Sequence, residues 1–426
     1  MALSVSQEYF STSMSQLTLT MLASRAYGDV EVNILEPNAR YLGATMNEVV
    51  IAAALRTAHG KRNGTLSGIH PVDLMADVLT ALVDRTGIDP AGVDDVVVGC
   101  ATQFGDQSSN VGRYSVLAAG WPETVPGATI NRACGSSQQA LDYAAHAVMA
   151  GQAEMVVAAG VESMSRVPMN AAKEGGLPYG TRSRARYGGR EFNQGVSAEL
   201  IAERWRLSRR EVDAFSALSH ARAAAAVDAG AFEDQIVPID VSGVPFAVDE
   251  GIRRGSSVET LAKLKPSFTA DGVLHAGNSS QISDGAAALL VTTPQRARAA
   301  GLTPLARYHS GVVVGSDPVL MLTGPIPATE QLLKKSGVPL SRIGVFEVNE
   351  AFAPVPLAWL KETGADPELL NPLGGAIALG HPLGASGVSL MTRMVHHMRD
   401  HGIRYGLQTM CEGGGTANAT LVERVA

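Results

Sequence analysis

A chain of 426 residues that is 46% hydrophobic can build two or three packed units, which excludes a purely linking or disordered role. Its 34 Lys and Arg against 41 Asp and Glu give a formal charge of -7, so no overall positive field attracts nucleic acid and a polyanionic ligand needs a local basic patch. Three dispersed cysteines, Cys100, Cys134 and Cys411, include no C-x-x-C pair, which argues against zinc and against a disulfide framework, and no run reaches the roughly 18 apolar residues of a membrane span.

Residues 1–45 are rich in Ser and Thr and lack the basic region and hydrophobic core of a secretory signal. Glu8, Asp29, Glu31 and Glu36 count against a mitochondrial presequence, so this segment reads as an extension outside the folded core. From residue 46 the pattern becomes regular. Strands are expected at 49–54, 95–100, 128–131 and 155–159, and helices at 72–85, 110–119 and 136–149. Such alternation implies an α/β fold, with sheets covered by helices on both faces.

Between 166 and 282 the alternation gives way to loops rich in Gly, Pro and Arg, with one helical run expected at 198–227. Strand and helix signals resume at 288–291, 305–314, 328–335, 344–348, 351–361, 386–400 and 405–411. The chain therefore divides into an N-terminal half at 46–165, completed by about 283–303, an inserted loop domain at 166–282, and a C-terminal half at 304–426. No fixed-period repeat is visible in the letters.

Four segments carry groups that could do chemistry. In ATINRACGSSQQAL, Cys134 sits between a short strand and an amphipathic helix, where free backbone N–H groups and the helix dipole favour a nucleophilic thiolate. A lone cysteine is nonetheless more often a small buried hydrophobe. In NPLGGAIALGHPLGASG, His381 lies among glycines and prolines and is either a turn histidine or a group that takes a thiol proton.

In MCEGGGTANAT, Cys411 precedes three glycines whose N–H groups are free to face an oxyanion; taken alone, the segment reads as a hairpin turn with a buried cysteine. In VFEVNEAFA, an apolar strand runs into Asn349, which could equally be a helix N-cap.

Together, and in this order, the four segments resemble the thiolase family of acetyl-CoA acyltransferases, over the chain from about Met46 to the C-terminus. GVESMSRVPM, LAKLKPSF, AGNSSQISDGAAA and TGPIPA are weaker matches to the same family. The resemblance implies a thiolase-like fold of two α/β halves with an inserted loop domain for coenzyme A. It implies that Cys134 accepts the acyl group, that His381 activates it, and that Cys411 exchanges a proton with the substrate α-carbon. Asn349 would hold a water that forms one oxyanion hole with His381, and the backbone N–H groups of Cys134 and Gly413 would form the other.

By the same resemblance Ser280 lies near the pantetheine arm of coenzyme A, with Arg253 and Thr260 near its nucleotide end. No metal or permanently bound cofactor is implied; acyl-CoA and coenzyme A are substrates. A homodimer or homotetramer and a bacterial cytoplasm are the expected assembly and location. Gln281 and Ala417 depart from glycines common in the family and are expected to add bulk near the ligand. Gln194 stands where methionine is common, which suggests a different or roomier acyl pocket. The rivals are a condensing ketoacyl synthase, disfavoured by Cys411, a biosynthetic acetoacetyl-CoA thiolase, and a non-catalytic acyl-CoA-binding relative.

Overall fold

The computed structural model describes residues 46–425; the extension expected at 1–45 lies outside the described residues. In chain order the first elements are β1 (Val50–Thr57), β2 (Gly60–Lys61), α1 (Pro71–Thr86), β3 (Asp95–Gly99), α2 (Val111–Ala118), β4 (Gly127–Ile130), α3 (Ser136–Met149) and β5 (Met155–Ser163). Pro71 opens α1 at a position that needs no donated N–H, and Gly87, at φ 66°, closes it in the left-handed region.

The connection from 164 to 282 holds α4 (Gly180–Arg186), α5 (Gln194–Arg204), α6 (Arg209–Asp228), β6 (Ile236–Val237), β7 (Ile239–Val241), β8 (Val244–Phe246) and α7 (Val258–Leu261). There follow β9 (Ser283–Thr292), α8 (Pro294–Ala299), β10 (Ala306–Gly315), α9 (Pro325–Ser336), β11 (Ile343–Val348) and α10 (Pro354–Thr363). The chain ends with α11 (Ala376–Leu379), α12 (Ser386–His401), β12 (Tyr405–Glu412) and β13 (Thr416–Arg424).

The main sheet runs β11-β12-β13-β10-β1-β9-β5-β3-β4. Its two ends repeat one topology. The order β3-β5-β9-β1, parallel then twice antiparallel, recurs as β11-β12-β13-β10 with the same senses. Helices α1 and α9 precede β3 and β11, while α3 and α12 precede β5 and β12. This is a structural duplication that no repeat period in the letters reveals. The halves join as one sheet through just two residue pairs, Val50 with Arg307 and Ile51 with Ala306. They differ where β5 reaches β9 through 164–282, whereas β12 reaches β13 through a turn at Gly413–Gly415.

Helices cover both faces of the sheet. On one, α1 buries Leu74, Met75, Val78, Leu79 and Leu82 against Val96, Val98, Val157 and Leu290. On the other, α3 (Leu141, Ala144, Ala145, Val148) and α12 (Val388, Met391, Met394, Val395, Met398) share a core with Ala158, Leu289 and Val291. Each such fully buried Leu or Met contributes about 2 kcal/mol.

The two inner helices approach without a spacer: a Cβ at Gly387 would lie 2.3 Å from the backbone nitrogen of Gln138. Ser137 Oγ accepts the Val388 N–H at 3.0 Å, and Gln408 bridges the pair by donating to Gln138 Oε1 and the Gly387 carbonyl.

Several elements differ from the expected ones. The helical run at 198–227 is two helices, because Arg206 turns the chain at φ 51° and Ser208 starts α6 with a capping box to Glu211. The helix expected at 351–361 begins only at Pro354, which leaves 349–353 as irregular backbone at the end of β11. Strand β13 (Thr416–Arg424) has no counterpart among the expected strands, because Thr416, Asn418 and Thr420 interrupt its apolar pattern. Asn418 and Thr420 are buried and bonded across the core to Gly135, Gln138 and Asp142.

Gly387→Ala should force α12 off α3, since the obstructing atoms are backbone. The expected loss is at least about 2 kcal/mol in chemical denaturation, and unchanged stability would show that the crossing relaxes.

Candidate active site

The sequence at 131–136 makes a tight turn that presents Cys134 just ahead of α3. Ala133 holds φ 46°, a costly conformation for a residue with a Cβ, and is fixed from both sides. Its N–H donates to Asn131 Oδ1 at 2.8 Å and its carbonyl accepts from Ser136 Oγ at 2.6 Å. Cys134 is 3% exposed, and its thiol feels the backbone N–H groups of Gly413 and of Cys134 itself.

Burial pushes this thiol up to about 12, with the charge of Glu412 adding to the rise and the two N–H groups opposing it. The thiolate expected from the helix N-terminus is thus not the resting form: the cost of burying a charge exceeds what two N–H groups return.

Cys411, at the end of β12, is fully buried, and its thiol interacts with the Asn349 side chain. Burial raises it further than Cys134, and a negative charge on Cys134 raises it again. The two thiols therefore do not ionise together, which separates their roles.

Asn349 follows β11 and directs Nδ2 at His381 Nε2, 3.3 Å away. The hydrogen-bond network assigns the histidine tautomer. Ser386 Oγ donates to the Pro382 carbonyl at 2.8 Å and so accepts from His381 Nδ1–H at 2.6 Å, which leaves a lone pair on Nε2. Burial pulls His381 down to about 4, so the ring is neutral at ordinary pH. Among the described residues Asn349 Oδ1 is buried with no hydrogen-bond partner.

Several supporting residues were not found from the sequence. Glu350 accepts from Ser219 Oγ, Asn371 Nδ2 and the Ile377 N–H, and Asn371 exchanges two hydrogen bonds with the Val348 backbone. That clamp fixes the segment leading to His381 against the end of β11. Glu162, at the end of β5, gathers the N–H groups of Ala101, Thr102 and Gly384 and the Gln107 amide, so the histidine loop is tied to the N-terminal half. Ser386 and Ser283 lie in GASG and QISDG: Ser386 meets the His381 ring from five residues away, and Ser283 Oγ accepts the His381 N–H from 98 positions away.

Ser280 is half-buried at the inner end of the loop region, its N–H donating to the Ala351 carbonyl next to the Asn349 turn. Arg253 and Thr260 are exposed, and the Thr260 hydroxyl caps its own helix through Ser257.

Gln281, expected to add bulk near the ligand, turns its side chain back onto the main chain. Its Nε2 latches the carbonyls of Gly251, Ile377 and Ala378. Ala417 packs in the core against Gly324. Gln194, by contrast, does reach the centre, its Nε2 being the atom nearest to where a Cβ on Gly413 would stand. No group of three or more His, Cys, Asp or Glu suited to a metal occurs among the described residues.

Two thiols in separate environments, a neutral imidazole and a glycine turn of free N–H groups define an acyl-transfer centre of the thiolase type. The sequence comparisons agree. The family description "Thiolase, N-terminal domain" matches residues 49–295 and "Thiolase, C-terminal domain" matches 302–424. This chain belongs to the thiolase family, whose members are acyltransferases.

It is 51% identical over 391 residues to the steroid 3-ketoacyl-CoA thiolase FadA6 of Mycobacterium tuberculosis, covering 90% of this chain and 96% of that one. It is 42% identical over 400 residues to an acetyl-CoA acetyltransferase of Pseudomonas aeruginosa, covering 89% and 100%. It is 39% identical over 393 residues to a 3-ketoacyl-CoA thiolase of Bacillus subtilis, again covering 89% and 100%.

Glu412 offers a test of the electrostatics. Burial pushes its carboxyl up to about 7, against the Thr416 hydrogen bond and the Arg132 charge, and its Oε1 lies beside Gly135 with no partner among the described residues. Ionised Glu412 raises the Cys134 thiol, so Glu412→Gln should lower it. Alkylation of Cys134 above about pH 7, read by peptide mass spectrometry, should quicken by about tenfold for each unit of lowering. An unshifted pH profile would remove Glu412 from the balance.

Proposed function

We propose that this chain is a 3-ketoacyl-CoA thiolase that cleaves its substrate by a ping-pong route through an acyl-Cys134 intermediate. The observation that carries the reading is the second buried thiol, Cys411, beside the Asn349–His381 pair and facing the loop whose Gly413 N–H reaches Cys134. A condensing enzyme of the ketoacyl synthase kind has no use for it.

In the cleavage direction Cys134 Sγ attacks the 3-keto carbon as its proton passes to His381 Nε2. Coupling the transfer to attack avoids a free thiolate, which burial disfavours. The oxyanion that develops on the 3-oxygen is held by the N–H groups of Cys134 and Gly413, while Asn349-bound water and His381 face the thioester oxygen, a role that suits the partnerless Asn349 Oδ1. The bond between C2 and C3 then breaks, and Cys411 gives its proton to C2 of the acetyl-CoA enolate, whose oxygen is stabilised in this way.

The shortened acyl group stays on Cys134, its carbonyl oxygen directed at the N–H groups of Cys134 and Gly413. Coenzyme A enters, Cys411 takes its thiol proton, and the coenzyme A sulfur displaces Cys134, which recovers its proton from His381 Nε2 as acyl-CoA is released. The balance is one ketoacyl-CoA and one coenzyme A giving one acetyl-CoA and one shortened acyl-CoA; reversal condenses two acyl-CoA molecules.

Coenzyme A lies along the 166–282 region, with Ser280 on the pantetheine side and Arg253 and Thr260 toward the nucleotide; their sequence from half-buried to exposed supports that direction. Resemblance to a steroid 3-ketoacyl-CoA thiolase and to fatty-acid-type thiolases supports a catabolic role with a medium, long or bulky acyl group. Self-association is supported by the outer edge of β4, with Tyr114 and Leu117 of α2 and Tyr143 of α3 exposed nearby. A cytoplasmic location fits the three free cysteines, and no described helix is long and apolar enough to cross a membrane.

Incubation with a 3-ketoacyl-CoA and mass analysis of the Cys134 peptide should show the shortened acyl adduct. Its absence across short, long and ring-bearing substrates would overturn the reading. Cys134→Ala should abolish both directions. Cys411→Ala should lower thiolysis by about 10²–10⁴-fold while acyl-CoA still slowly acylates Cys134, and unchanged turnover would remove Cys411 from proton transfer.

A further inference from the structure

Beside the glycine turn lies a cavity of about 450 Å³ lined by Arg182, Ser183, Arg186, Tyr187, Phe192, Pro318 and Gly414. Residues 175–190 hold four arginines and no Asp or Glu, on a chain whose net charge is -7. The ion pairs among the described residues engage other arginines, and neither Arg182 nor Arg186 hydrogen-bonds another side chain. Both are exposed, and the Arg186 guanidinium stands over the Tyr187 ring at 5.7 Å.

The wall behind them is apolar and braced. Phe192 meets Tyr179 and Tyr187 edge-on at 5.2 and 5.4 Å. Phe192 also packs on the cluster that contains Cys411, Met321, Leu322 and Val355. The cavity wall thus adjoins the reaction centre at two points: Phe192 packs on the cluster that holds Cys411, and Gly414 follows Gly413 in the glycine turn. The cavity's lining pairs the half-buried Phe192 with the exposed Arg182 and Arg186.

We propose that this cavity receives the far end of the acyl chain, and that Arg182 and Arg186 bind a carboxylate there. The favoured substrate is then a 3-ketoacyl-CoA with a second, terminal acid. The inference rests on the thiolase reading of Cys134. Two guanidinium groups suit a carboxylate, which each can hold through paired N–H donors, and an anion relieves their mutual repulsion. The phosphates of coenzyme A are the competing anions. They are held away from the thioester by the whole pantetheine arm, whereas Gly414 adjoins the turn that touches Cys134.

The test compares kcat/KM for two 3-ketoacyl-CoA esters of equal length, one ending in methyl and one in carboxylate. The enzymes are the wild type, Arg182→Gln, Arg186→Gln and, as a control of equal charge change outside the cavity lining, Arg184→Gln. The wild type should favour the carboxylate ester by about tenfold or more, as one charge-assisted pair allows. Arg182→Gln and Arg186→Gln should each cut that ratio severalfold, while Arg184→Gln keeps it.

No preference in the wild type would overturn the proposal. So would an equal loss on both esters with a raised KM for coenzyme A, which would assign the arginines to its phosphates. Failure of the thiolase reading would show separately, as absence of any acyl adduct on Cys134 with the methyl-terminated ester.

Discussion

Helices α3 and α12 cross where Gly387 leaves no side chain between its Cα and the backbone of Gln138, and the placement of the reactive groups depends on that contact. The loop ahead of α3 carries Cys134, and the loop ahead of α12 carries His381. Because the two halves repeat one topology, these loops occupy equivalent places and meet at the carboxyl ends of β5, β11 and β12. A side chain at the crossing would separate them. The hydrogen bonds that span it, from Gln408 to Gln138 and Gly387 and from Val388 to Ser137, keep its register, since buried polar groups without partners would cost about 1–3 kcal/mol each.

The same packing sets the electrostatics. Burial raises both thiols and lowers His381, so every proposed participant rests neutral. A neutral resting centre keeps charge for the transition state, where fixed N–H groups in a dry site stabilise it more than water would. The duplication also explains the asymmetry of access. The turn that closes the C-terminal half supplies Gly413 and Gly414, while its counterpart in the N-terminal half is enlarged into the 164–282 region.

Much of the site was legible from local chemistry. Cys134, Asn349, His381 and Cys411 lie in segments dense in glycine, or at the ends of apolar runs, where a polar or nucleophilic side chain stands out. The supporting groups were not legible. Ser386 orients His381 from within five residues, yet its role depends on a donor bond to Pro382 that only coordinates reveal. Glu162 and Glu350 read as ordinary charged residues until four hydrogen-bond donors converge on one carboxylate and three on the other. Gln281 is of the same kind: that its amide turns back onto three carbonyls is visible only in the folded chain.

The sequence by itself determined the alternation of strands and helices, the irregular stretch between the halves, and the four segments that carry the reactive groups. These are properties of short windows, fixed by periodicity, turn residues and local composition. The tertiary structure alone decided that the halves form one sheet and repeat one topology, that 198–227 is two helices, and that β13 is a strand with a polar inner row. It also decided the direction in which the Cys134 thiol is pushed. The helix start favours a thiolate, a local effect the letters show, while burial from residues up to nearly three hundred positions away imposes the larger opposing cost.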